Sequence, residues 1–182
     1  MARNTLSRSL HDIGLSAWFG GTLANAVALN PAAAQADGTH ASGAVANTGW
    51  DRWTPVNAAA IGLHLTGSVI QLAGNQGRIA NQEGVGTMVL VKTALTGAAL
   101  GATAYSRILG RRVSQQTAVP VGSGTDPAVT TPKPVADAQR QLKVLQWAIP
   151  ALTGALVVVS SLAGEQQRAS EVHKGVIGKL VH

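Results

Sequence analysis

Residues 54–75, TPVNAAAIGLHLTGSVIQLAGN, contain no ionised side chain, and the charge-free run around them lasts from Arg52 to Arg78. A helix needs about 20 mostly apolar residues to cross the hydrocarbon of a bilayer, and this stretch supplies them. Pro55 suits a first helical turn, where its missing N–H would be unpaired anyway. Trp50, Arg52 and Trp53 stand just before it, as an anchor at the membrane–water interface should. We therefore read the stretch as a transmembrane helix.

Two more charge-free runs, from Asp12 to Asp37 and from Lys143 to Glu165, lie on either side. Only 12% of the 182 residues are charged, about half of what a soluble domain carries. Residues 13–29, 54–75, 85–108 and a last segment that turns apolar at Val144 and leaves the bilayer near Glu165 each have spanning character. The sequence thus predicts an all-α, polytopic membrane bundle with about four transmembrane helices, multi-pass in the cell membrane, with both termini on one face. A modest mean hydropathy argues the other way, but the apolar segments are built from Ala, Gly and Val, and the connecting loops are long and polar. Lys and Arg divide almost evenly between the two faces, so the positive-inside rule gives no orientation.

The chain divides into residues 1–112 with three spans, residues 113–135 as a flexible Pro/Thr-rich loop, and residues 136–182 with the fourth span and a basic tail. The first span should stop at Asn30-Pro31, because proline disfavours helix in the residue before it. Within the loop, residues 118–134 are too poor in apolar side chains to bury much surface. A rival reading of the amino terminus takes Arg3, Arg8, an apolar core and Ala34-Gln35-Ala36 as a cleavable secretory signal. Against it, the core carries Trp18 and Asn25 and exceeds the usual length of about 7–15 residues.

The absence of Cys excludes disulfides, thiolate metal sites and cysteine nucleophiles. The net charge of +6 is dispersed at the ends of apolar segments, which suits lipid headgroups rather than nucleic acid. Expected partners are the bilayer and, beyond it, a second copy or other membrane helices. No phosphate loop, Ser-His-Asp set or zinc signature occurs, so no metal, cofactor or catalytic residue is assigned and an enzyme is disfavoured.

The blocks LHDIGLSAWFGG (10–21), GWDRWTPVNAAAIGLHL (49–65), KTALTGAALGATAYSR (92–107) and LQWAIPALTGALVVVSSLAGEQQR (145–168) resemble a group of uncharacterised small membrane proteins of actinobacterial type. The resemblance covers all four spans and fails in the Pro/Thr loop. It implies the four-helix architecture and no activity.

Helical periodicity sharpens the picture. Asn57, His64, Ser68, Gln71 and Asn75 recur so that, at 100° per residue, they fall within about 40° of one another. His11, Trp18, Thr22 and Asn25 form a like stripe on the first helix, Lys92, Thr96, Thr103 and Ser106 on the third, and Gln146, Thr153 and Ser160 on the fourth. In lipid such stripes must turn inward, because unpaired polar groups facing hydrocarbon are costly. Leu23, Val27 and Leu65 should then face lipid or a partner.

The polar interior invites three readings. Polar side chains can act as glue between helices of a structural or accessory bundle. Alternatively, His64, Lys92, His11, Asn57, Ser68 and Gln71 line a path for a proton or small solute. In the third reading His11 and His64 hold haem or a transition metal, although His11 should sit at the edge of its span and His64 near the middle. Lys92 is the single charge inside an apolar segment, with snorkelling to the headgroups as its plain explanation and Asp12 as a candidate partner. Gly97 and Gly101 form a small-xxx-small pair suited to helix packing or dimerisation.

Overall fold

The computed structural model describes residues 4–115 and 119–165; the basic tail expected at 166–182 lies outside them. The described residues are helical apart from turns and one isolated bridge between Val121 and Pro127. Helix α1 (Thr5–Ala24) continues through a π-helical turn (Asn25–Leu29) into α2 (Asn30–Ala33). Then follow α3 (Thr39–Gly74), the short α4 (Gln76–Asn81), α5 (Val85–Ser114) and α6 (Lys133–Glu165). Helices α3, α5 and α6 are long and apolar enough to cross a membrane. Helix α1 does not belong to that set, and its first turns carry Ser7, Arg8, Ser9, His11 and Asp12.

Two antiparallel pairs make the bundle. Helix α1 packs on α3, α5 packs on α6, and the pairs meet where α1 also touches α6. The α1–α3 contact is a backbone-to-backbone approach at two glycines. A methyl group at Gly14 would overlap the Ala60 carbonyl and the His64 N–H, and one at Gly67 would overlap the Ser7 carbonyl and the His11 N–H. Each glycine lies three residues after a histidine, in His11-Asp-Ile-Gly14 and His64-Leu-Thr-Gly67. The two segments therefore dock reciprocally, each glycine under the backbone of the other segment's histidine.

The first helical segment does not stop at Asn30-Pro31. The π turn supplies an extra residue, and Pro31 falls in the first turn of α2, where its missing N–H costs little. Nor does the second span start at Pro55: α3 begins at Thr39 and runs through that proline. At 36 residues it is about 54 Å long, more than the roughly 30 Å of bilayer hydrocarbon. Its first turns thus reach beyond a membrane's apolar core.

That extension meets the Pro/Thr-rich segment. Residues 119–132 contain no helix, yet they pack, unlike the flexible loop their composition suggests. Val121, Ser123 and Thr125 are buried. The Val121 N–H donates to the Thr39 carbonyl, and Gln139 Nε2 donates to the Ser123 carbonyl. Asn30 ties the cap to the bundle by donating to Gln146 and accepting from Trp50 Nε1. The polar residues bury their backbone through specific hydrogen bonds rather than through apolar area, which composition does not reveal.

Gly97 and Gly101 differ from Gly14 and Gly67. Both are exposed, and a methyl group on either would meet open space. Gly14→Ala and Gly67→Ala should each lower stability by about 1–3 kcal/mol, the usual cost of overpacking. Gly97→Ala and Gly101→Ala should be neutral or stabilise by up to about 1 kcal/mol through helix propensity. Thermal unfolding of the four variants in one detergent checks the ordering.

Candidate functional site

The close α1–α3 approach brings His11 and His64 together. Their ring centroids lie 4.6 Å apart at an interplanar angle of 50°, so the two share one depth, contrary to the edge-and-middle placement their sequence positions suggest. The antiparallel offset of α1 against α3 causes this. Both rings are sealed, at 1% and 0% exposure, and Trp18 closes one side with its ring centroid 6.0 Å from that of His64. Trp18 is itself held by a hydrogen bond from Nε1 to Thr103 Oγ1 on α5.

The nitrogens of the pair are unevenly satisfied. His11 Nδ1 lies 2.8 Å from Asp12 Oδ1, an arrangement that fixes the proton on Nδ1 and leaves a lone pair on Nε2. That Nε2 has no partner, and neither nitrogen of His64 has one at bonding distance. Three ring nitrogens are therefore desolvated without full compensation. Asp12 reaches outward, with 68% of its side chain exposed.

This geometry does not suit haem. Metal–imidazole bonds of about 2.0 Å on opposite sides of a metal would hold the ring centroids well beyond 4.6 Å. Among the described residues no three of His, Cys, Asp and Glu gather as a metal shell.

The remaining expected residues sit elsewhere. Asn57, Ser68, Gln71 and Lys92 line a cleft between α3 and α5. Asn57 is buried with its Oδ1 unpartnered. Ser68 donates back to the His64 carbonyl, and Gln71 Nε2 donates to the Ser7 carbonyl. Lys92 is half-buried and makes no hydrogen bond or ion pair among the described residues. Near it Arg78 is bonded to Asn75 and Gln82. Burial, and then the nearby Arg8 guanidinium, hold the Arg78 pKa below the usual arginine value. Gly97 lies along the same cleft. Of the residues expected to face outward, Val27 is exposed, Leu23 is half-buried, and Leu65 lines the cleft.

Parts of the stripes on the first helical segment and on α6 are enclosed. Trp18, Thr22, Asn25 and Thr153 are buried, and Gln146 accepts from Asn30. The residues missing from the sequence reading are Gly14, Gly67 and Asn30. A repeated His-x-x-Gly on two helices was a legible signal for the first two, whereas nothing local marks Asn30 as a junction.

No protein-family model matches the sequence, and comparison with curated proteins and with solved structures finds no match.

Because the His64 nitrogens lack partners, an apolar side chain of similar size should relieve desolvation rather than break bonds. His64→Leu is expected to leave stability unchanged within about 1 kcal/mol or to raise it. A clear fall in the unfolding temperature would mean that the ring makes hydrogen bonds essential to the bundle.

Proposed function

We propose that this chain is a multi-pass membrane protein in which α1 forms a fourth span, and that it serves as a non-enzymatic structural or accessory component of the membrane. The observation that carries this reading is its inverted surface. Only 17%, 11% and 22% of the apolar windows of α3, α5 and α6 are buried within the chain, while His11, His64, Gln139 and Thr153 are sealed inside. Exposed apolar area on that scale needs lipid or partner helices. A fourth span of weaker hydropathy is tolerable because α1 packs on both α3 and α6 and its Leu15, Trp18 and Thr22 are buried. We place the chain beside the actinobacterial-type membrane proteins that its four blocks resemble.

A carrier of protons or small solutes is the second reading, favoured by the unpartnered imidazoles. The accessory reading is stronger because neither histidine lines the α3/α5 cleft or the surface cavity beside Leu109. A solute would need the Gly14 and Gly67 contacts to open.

Two measurements test the proposal. The protein should stay with membranes under alkaline carbonate, whereas a stable monomer in plain buffer would overturn the membrane reading. Since the chain has no native Cys, single cysteines can be labelled with a membrane-impermeant maleimide. Cysteines at Asn4 and Asn81 should label from one face, and those at Gln35 and Val129 from the other. Labelling of Asn4 and Gln35 positions from the same face would remove α1 as a span.

A further inference from the structure

A cavity of about 300 Å³ lies where α3, α5, α6 and the segment 119–132 meet. Helix packing leaves it there, since α3 is taken up by α1 and α5 by α6. Its walls change character along the bundle. Ile61 and Leu100 make one end apolar, while Trp50, Asp51, Trp53 and Arg107 stand nearer the cap. Asp51 is about 15 Å along α3 from Ile61 at 1.5 Å per residue. In a membrane that gradient runs from acyl chains to headgroups, and the two indoles suit the boundary.

The polar side chains around this cavity are incompletely satisfied. Asn57, only 9% exposed, has no partner for its Oδ1 among the described residues, and the same holds for Trp53 Nε1 and Arg107 Nε. All three residues line this one cavity. Buried polar groups are normally paired, so such a cluster calls for an occupant that brings its own donors and acceptors. The three atoms are sealed as the cavity stands, and rotation of the side chains would turn them toward it. Charge is balanced but dipolar: Arg107 Nη1 lies 3.5 Å from Asp51 Oδ1, and both side chains are partly exposed.

We propose that this cavity binds a zwitterionic phospholipid, its phosphate at Arg107 and Trp53, its ammonium at Asp51, and the first carbons of its chains between Ile61 and Leu100. The occupant follows from charge complementarity. A headgroup with one charge of each sign meets one side chain of each sign, and the indoles of Trp50 and Trp53 add cation–π attraction for the ammonium. An anionic lipid would set an uncompensated negative charge beside Asp51. An apolar helix of a second copy would leave Asn57, Trp53 and Arg107 as they are, and a free phosphate would leave the apolar end uncovered. This inference rests on the membrane reading above and adds a ligand class to it.

The test is native mass spectrometry of the full chain in neutral detergent with added phosphatidylethanolamine, phosphatidylcholine or phosphatidylglycerol. The wild-type chain should retain at least one of the two zwitterionic lipids about tenfold better than phosphatidylglycerol, the factor that one favourable charge contact in place of a repulsion supplies. Asp51→Asn should bring phosphatidylglycerol level with the zwitterionic lipids, an inversion that a merely structural role would not produce. Arg107→Gln should weaken retention of the zwitterionic lipids. Ala104→Phe, at an exposed position on the cavity wall, should retain none of the three by filling the space, and Lys133→Gln, on the exposed start of α6, should behave as wild type. Ala104→Phe should also insert into vesicles as the wild type does, so failure of the membrane reading and failure of the lipid site are read separately. Equal retention of all three lipids by the wild type, an unchanged preference in Asp51→Asn, or full retention by Ala104→Phe would each overturn the proposal, as would a cavity that holds water alone.

Discussion

Everything in this bundle depends on how closely α1 can approach α3. Side chains normally keep helix axes about 8–10 Å apart, and here Gly14 and Gly67 let the backbones touch directly. The reciprocal His-x-x-Gly segments make that contact symmetrical, and they place both imidazoles at the seam. With α3 committed to α1 and α5 to α6, no described helix fills the space between α3 and α5. The sealed histidine pair and the open cleft are two consequences of one packing choice.

The same choice explains the division of polar groups. Residues on the α1 side of α3, His64 and Gly67, are enclosed, whereas Ser68 and Asn75 line the cleft and Gln71 lines it while donating to the Ser7 carbonyl of α1. One polar stripe on one helix thus serves two environments. At the other end, the α3 extension, Asn30 and residues 119–132 form a hydrogen-bonded cap. The cap joins α2, α3 and α6 by hydrogen bonds.

Periodicity made much of this legible. The charge-free runs after Arg52 and after Lys143 fall largely within two of the long apolar helices, α3 and α6, and the stripes through His11, Trp18 and Thr22 and through Asn57 and His64 hold side chains that the described structure buries, because angular position on a helix follows from sequence spacing alone. The pairing of His11 with His64 was not legible, since the offset between two helices is set by tertiary contact. Pro55 and Pro31 misled for a related reason: proline weakens a helix by a local amount that neighbouring contacts can outweigh. The small-xxx-small pattern pointed to Gly97 and Gly101, which meet no neighbour within the described chain, whereas Gly14 and Gly67 are the helical glycines on which a methyl group would overlap another helix's backbone. Spacing shows which glycines could admit a neighbour, not which ones have one.

The most direct test of the central contact is solid-state NMR of the histidine-labelled protein in lipid bilayers. Rings whose centroids lie 4.6 Å apart should give direct carbon–carbon cross-peaks between His11 and His64, with neither ring in contact with water. Absence of those cross-peaks, together with a water-exposed His11 ring, would contradict the reciprocal docking of α1 on α3 and the bundle built on it.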